Sequence, residues 1–289
     1  MAPTISLVLC TIGETEKLPR LAHSLSRQTS RDFDIVIVDQ STPGRINPFL
    51  QSLPNWLRVT VVRSPRGLSR ARNVGLASAH GEIIGMPDDD AWLPAGLIAE
   101  IADRFRGNPH LAAISGVTRD DRGELSNGSF HRESMDITKK TVWKAGNSNG
   151  IFFRIEAARS IGGFNETLGI GSGTPFGSGE ETDFLLRLIA AGYSCRFESN
   201  LVVHHDQVDQ NVTAATLRRA HLYAAGYGRV LRLHGYSFPF ITWRCVRSLV
   251  AAAKAAVNGQ VNEARRRLIW CRGMMEGYFR RYPEEMLRR

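Results

Sequence analysis

Short apolar runs alternate with amphipathic segments through the first half of this chain, and that alternation admits few folds. Ile5-Ser6-Leu7-Val8-Leu9-Cys10 reads as a buried strand, and Leu18, Leu21, Ala22 and Leu25 then recur at helical spacing. Asp34–Val38 and Val59–Val62 read as the second and third strands, and Leu68–Ala79 as a helix leading into a strand at Ile83. Pro94 suits the first turn of the next helix, whose Leu97, Ile98, Ile101 and Phe105 share one face. Ala112–Val117 is again strand-like. This βαβα order predicts an α/β protein with a doubly wound, mostly parallel sheet. Farther on, Gly150–Phe153 is strand-like, Glu156–Ile161 helical, and Tyr193–Val203 reads as two short strands. Arg119–Ala145 and the glycine-rich Gly169–Gly179 read as loops, and everything after Ala214 as helical.

The strand at Ile83 ends in Asp88-Asp89-Asp90. Ligands of open parallel sheets bind beyond the carboxyl ends of the strands. Two unit charges about 5 Å apart repel by roughly 3 kcal/mol at an effective dielectric near 20, and by under about 1 kcal/mol in water. Three carboxylates at such a place are therefore fully solvated or hold a cation. Hard divalent cations favour carboxylates shared with substrate phosphates, which points to a nucleoside diphosphate. In an extended turn Asp88 and Asp90 point the same way, one toward a ribose and one toward the metal. A plain turn capping the next helix is the simpler alternative, but three acids exceed what a cap needs.

Three other polar clusters close predicted strands: Thr11 to Glu14, Asp39, and His204-His205. Asp39 alone reads as a turn residue, and a histidine pair alone as a satisfied strand end. Four polar strand exits together are better explained by one ligand. One of the two histidines would complete a metal shell with the acids, a mixed set that suits Mn²⁺ somewhat better than Mg²⁺. Separately, Glu180-Glu181-Thr182-Asp183 opens a helix after the glycine-rich loop. Acids in a first helical turn are stabilised by the macrodipole. A carboxylate beside a like charge also holds a proton more tightly and can serve as a general base. A dinucleotide fingerprint, a P-loop and a nucleophile elbow are all missing from the sequence.

In this order, the segments resemble family 2 glycosyltransferases. The motifs that carry the resemblance are Thr11-Ile12-Gly13 after the first strand, Val36-Ile37-Val38-Asp39-Gln40-Ser41, and Gly67-Leu68-Ser69-Arg70-Ala71-Arg72-Asn73-Val74-Gly75. The Asp-x-Asp at Asp88–Asp90 follows, then Gly146–Arg154, Gly162-Gly163-Phe164-Asn165-Glu166 and Glu180-Glu181. The resemblance implies a GT-A fold, with a Rossmann-like sheet and a C-terminal helical region. It implies inverting transfer of a sugar from a nucleotide-diphosphate-sugar donor to a carbohydrate or lipid-linked acceptor, in polysaccharide or glycolipid synthesis. Asp39 would contact the base, with Thr11 and Glu14 nearby, and Arg70 and Asn73 would support the nucleotide side. Asp88 would hold the ribose, Asp89 belongs with the substrate-binding set, and Asp90 would hold Mn²⁺ or Mg²⁺. His204 is the first candidate for the metal-binding histidine and His205 the second. Glu181 matches the catalytic base, where the family usually carries Asp, with Asp183 as fallback; Glu180 would touch the acceptor.

Of the 289 residues 43% are hydrophobic and 22% charged, as in globular proteins. The net charge of +9 is uneven. Residues from Ala214 on hold 15 Lys and Arg against 4 Asp and Glu, a balance of +11 that leaves −2 for the remainder. We expect a catalytic domain over 1–213 and a basic helical region over 214–289, facing an anionic membrane surface. A nucleic-acid partner would use the same arginines but leaves the acidic clusters unexplained. A metal-dependent nucleotide-sugar hydrolase is the closer rival. Four widely spaced cysteines, with no basic leader in Met1–Gly13, suggest reduced core thiols in the cytoplasm, with peripheral attachment to the inner membrane face.

Overall fold

The computed structural model describes residues 4–13, 16–207 and 211–280. The chain divides into two compact units. The first comprises 1–66, 70–164 and 184–208; the second comprises 67–69, 165–183 and 209–289. The glycine-rich segment Asn165–Asp183, which sequence reading places in the catalytic domain, thus clusters with the C-terminal helices.

The first unit is built on one nine-stranded sheet. Its strands are β1 (Ile5–Thr11), β2 (Phe33–Asp39), β3 (Arg58–Arg63), β4 (Ile83–Gly85), β5 (Ala91–Trp92), β6 (Leu111–Arg119), β7 (Met135–Asp136), β8 (Ile151–Arg154) and β9 (Ser194–His205). The order across the sheet is β3-β2-β1-β4-β8-β6-β9-β5, with β7 also on β9. The long pairings, β1 with β2, β2 with β3 and β6 with β9, are parallel, as is β1 with β4. Antiparallel pairing is confined to short contacts of two or three residues made by β8, β5 and β7. Parallel neighbours need a crossover. Helices α1 (Leu18–Ser26), α2 (Asn47–Ser52), α3 (Leu68–Ser78) and α4 (Leu97–Gly107) precede β2, β3, β4 and β6; α5 (Ile155–Ser160) and α6 (Glu180–Ala190) precede β9. Strand β2 is buried along its whole length, whereas the edge strand β3 alternates in exposure. Phe153, Phe164 and Phe184 form an aromatic cluster, with ring centroids 4.7 Å apart for 153–184 and 4.5 Å for 164–184.

Two local expectations change, and one helix is unforeseen. Tyr193–Val203 is not two strands but part of the single β9, because two register shifts against β6 absorb the irregularity. Gly116 makes room for it: a Cβ there would lie 2.3 Å from the Leu201 carbonyl oxygen. Pro94 does not enter the first turn of α4, because a turn at Ala95-Gly96 separates them, closed by Leu97 N–H donating back to the Pro94 carbonyl at 3.0 Å. Helix α2, with Phe49 alone buried, is too short for its periodicity to show in sequence.

In the second unit, α7 (Ala214–Leu233), α8 (Phe238–Val257) and α9 (Val261–Phe279) follow one another. Thr213 and Thr216 form a reciprocal capping box that starts α7. The α7 and α9 backbones approach closely. A Cβ on Gly277 would lie 1.9 Å from the Ala225 carbonyl oxygen, and one on Gly228 only 2.0 Å from that of Met274. Among the described residues no helix is long and apolar enough to cross a membrane.

Candidate functional site

Strand geometry gathers one polar cluster in the first unit. Thr11 and Asp39 end β1 and β2 as direct register partners. The acids follow β4, whose register on β1 brings them past the same sheet edge. Strand β5 then runs antiparallel to the end of β9, setting Ala91 opposite His205 and Trp92 opposite His204. Asp88, Asp90 and His205 each direct a ligand atom to one spot, with all three atoms within 4.8 Å of one another. His205 Nε2 lies 3.1 Å from Asp90 Oδ1. Because β9 side chains alternate sides, His204 turns away from this trio. Its ring stacks on Trp92 with centroids 5.3 Å apart, and its Nδ1 lies 3.3 Å from the Arg119 carbonyl oxygen. The first-ranked histidine is thus the one the trio excludes.

Each acid has its own support. The Asp88 backbone N–H donates to Asn149 Oδ1 at 2.6 Å, while Asn149 Nδ2 donates back to Asp88 Oδ2 at 2.9 Å. The buried Arg72 guanidinium lies 3.8 Å from Asp88 and 5.3 Å from the Phe164 ring. Burial pushes the Asp88 carboxyl up, and Arg72 only partly opposes this. Asp89 accepts a hydrogen bond from Thr11 Oγ1 at 2.7 Å. Lys17 Nζ lies 3.5 Å from Asp90 and 3.2 Å from Asp206. Burial acts to raise Asp90, but the His205 hydrogen bond and the charges of His205 and Lys17 outweigh it, so its pKa falls. For His205 burial favours the neutral ring, yet the hydrogen bond to Asp90 and the backbone carbonyl of Asp206 win, and its pKa rises. An acid–base set held this way matches the donor chemistry of a divalent-cation site, since a cation would take over the charge balance now shared by His205 and Lys17.

The remaining candidates of this unit are also placed. Asp39 is buried, accepts from Ser41 N at 2.8 Å and Ser41 Oγ at 2.6 Å, and pairs with Arg63. Burial alone would raise it; these hydrogen bonds and Arg63 bring it below the usual carboxylate range. Asn73 brackets Phe164, donating to its carbonyl at 2.9 Å and accepting from its N–H at 2.7 Å, so its side chain pins a loop. Arg70 is half-buried on α3. Glu14 lies outside the described residues.

The second carboxylate cluster belongs to the second unit. Gly179, at φ +90°, precedes α6, and Asp183 N–H donates to its carbonyl at 2.8 Å. Asp183 is 2% exposed and lies 2.9 Å from His234 Nε2. Glu180 is also buried, whereas Glu181 is half-buried. Gly169 closes on this turn: a Cβ there would lie 3.2 Å from the Glu180 carboxyl carbon. Burial raises the Tyr223 hydroxyl, Arg219 opposes, and the charges of Glu180 and Glu181 add to the rise. Sequence reasoning missed Lys17, Arg72, Asn149 and His234. Arg72 and Asn149 lie within the Gly67–Gly75 and Gly146–Arg154 motifs, which offered a signal without a role; a histidine 51 positions from its partner offered none.

An uncharacterized glycosyltransferase of Haemophilus influenzae is 26% identical over 196 residues, covering 64% of this chain and 62% of that protein. The pre-mycofactocin glycosyltransferase of Mycobacterium tuberculosis is 27% identical over 225 residues, 71% of this chain and 43% of that one. The chain thus spans less than two thirds of the length of these relatives. Among solved structures, the mannosyltransferase PcManGT from Pyrobaculum calidifontis, in complex with GDP-Man and Mn²⁺, superposes with TM-score 0.65 at 17% identity, covering 96% of this chain and 88% of that one. S. aureus TarS 1-349 in complex with UDP-GlcNAc gives 0.59 at 14% identity, over 97% and 93%. The fold is GT-A. The family model "Glycosyl transferase family 2" matches residues 6–162, more than half of the sequence, and the chain belongs to that family.

Proposed function

We propose that the protein transfers a sugar from a nucleotide-diphosphate-sugar to an acceptor hydroxyl with inversion at the anomeric carbon. The observation that carries this reading is the Asp88–Asp90–His205 trio, set at the strand ends with ligand atoms within 4.8 Å. The nucleotide-sugar complexes of the mannosyltransferase and of TarS support the same donor class. Asp88, Asp90 and His205 would hold a divalent cation, Mn²⁺ or Mg²⁺, which when bound offsets negative charge on a departing diphosphate, so Asp88 is read here as a metal ligand and not as the ribose contact the resemblance implies.

The chain's own groups do the rest. Asn149 and Arg72 fix the Asp88 carboxylate, so its orientation does not depend on the ligand. Thr11 does the same for Asp89. Glu181 takes the proton as the acceptor oxygen bonds to the anomeric carbon and the bond from that carbon to the phosphate oxygen breaks on the opposite face. Glu181 suits this better than Asp183, because Asp183 is buried against His234 while Glu181 keeps partial exposure. Asp183 with His234 then positions the helix turn that carries the base.

Thermal stabilisation by UDP-, dTDP- and GDP-sugars, each with Mn²⁺ and with EDTA, tests the reading. Stabilisation by one nucleotide class that requires metal is expected and names the donor. Equal response with metal and with EDTA refutes the metal role, and no response to any donor refutes the donor site. Release of free sugar at the same rate with and without acceptor would instead identify a hydrolase.

A further inference from the structure

Within the second unit, α8 presents two unlike faces. Ile241, Cys245, Ala252 and Ala255 recur at helical spacing and are buried. Half a turn away, Trp243, Val246, Val250 and Val257 are 49%, 50%, 63% and 87% exposed. Pro239 and Ala253 lie on the same outward line and are exposed as well. The usual helical pattern places polar residues outward; here the outward line is apolar for the whole helix, about 30 Å at 1.5 Å per residue. Exposed apolar surface of this extent marks an interaction site.

Charge decides what covers it. The α8 sequence contains no Asp or Glu, while Arg247 and Lys254 are exposed along one flank of the apolar line. The Arg247 guanidinium sits 4.8 Å from the Trp243 ring centre, joining cation and apolar face into one surface. A second copy docked through α8 would set these cations against one another with no carboxylate on the helix to meet them. An anionic lipid surface answers both features: acyl chains for the valines and tryptophan, headgroup phosphates for the basic flank.

We propose that the outward face of α8, Trp243, Val246, Val250 and Val257 flanked by Arg247 and Lys254, seats in the interface of an anionic bilayer with the helix lying in the membrane plane. Since no described helix can cross a membrane, the attachment is interfacial. The inference uses none of the residues assigned to transfer and stands or falls without them.

Co-sedimentation of the full chain with phosphatidylcholine vesicles, with and without phosphatidylglycerol, tests it. Binding to the anionic vesicles alone, weakened by salt, is expected. Val250→Asp should lower that binding about tenfold or more, and Lys254→Gln about fivefold. Both sites are exposed, so the far-UV spectrum and melting temperature of each variant should match the parent. Equal binding to both vesicle types, binding to neither, or full binding by Val250→Asp overturns the proposal. So does a dimer that Val250→Asp dissociates in a protein indifferent to vesicles, which would assign the face to a second copy.

Discussion

Replacing His205 and His204 separately by Ala separates the two histidines that adjacency in sequence cannot rank. His205 is 8% exposed and places Nε2 3.1 Å from Asp90, inside a trio whose ligand atoms lie within 4.8 Å. Two carboxylates that close repel by roughly 3 kcal/mol at an effective dielectric near 20. A divalent cation would relieve that repulsion, with a deprotonated His205 as third donor. Losing an outer-shell partner of a metal ligand typically costs about 10–100-fold in metal affinity. Losing a direct ligand should cost no less, so His205→Ala should weaken Mn²⁺ binding at least about 10-fold. His204 stacks on Trp92, so His204→Ala should cost packing and leave Mn²⁺ affinity within about threefold, under 1 kcal/mol on the tenfold-per-1.4 kcal/mol scale. Mn²⁺ titration followed by calorimetry or by paramagnetic broadening measures both. Unchanged affinity in His205→Ala, or the larger loss in His204→Ala, refutes the reasoning from β9 alternation.

The same pair sets a pH dependence in metal-free protein. The His205 pKa is raised, so its contribution is present below the unfolded-state pKa and fades as pH rises through the folded one; the Asp90 pKa is lowered, so its contribution is lost as pH falls through the folded value. Melting temperature against pH should therefore show a window between the two titrations that His205→Gln narrows; an identical profile in the variant contradicts the pairing. Glu181→Gln should lower kcat by about 10²–10⁴ while donor binding, read by thermal shift, is kept. Asp183→Asn should instead lower the melting temperature through its buried contact with His234; the opposite ranking of the two variants in kcat would transfer the base to Asp183. Gly277→Ala puts a methyl 1.9 Å from the Ala225 carbonyl oxygen and should destabilise by about 1–3 kcal/mol in denaturant titration, and an unchanged midpoint would show that α7 and α9 yield there.

Much of this protein is local information. The parallel strands β1, β2 and β3 are legible because each is a short run of apolar residues bounded by turn residues, and α1, α4 and α6 because their apolar residues recur at helical spacing. Asp88–Asp90 is legible because charge repulsion among neighbours in sequence needs no fold to be recognised. The family follows from the order of such segments. What the sequence could not carry is any relation set by register or burial. His204 and His205 differ only in which side of β9 they leave, and that depends on pairing with β5, far off in the chain. Arg72 looks like one more helix-surface cation, and only its enclosure beside Phe164 and Asp88 makes it a partner of the acids. Asp183 acquires His234, and α8 its bare apolar face, because helices distant in sequence pack as they do. Local propensity and charge act between neighbours along the chain; partners and exposed faces exist only once tertiary packing has brought some surfaces together and left others uncovered.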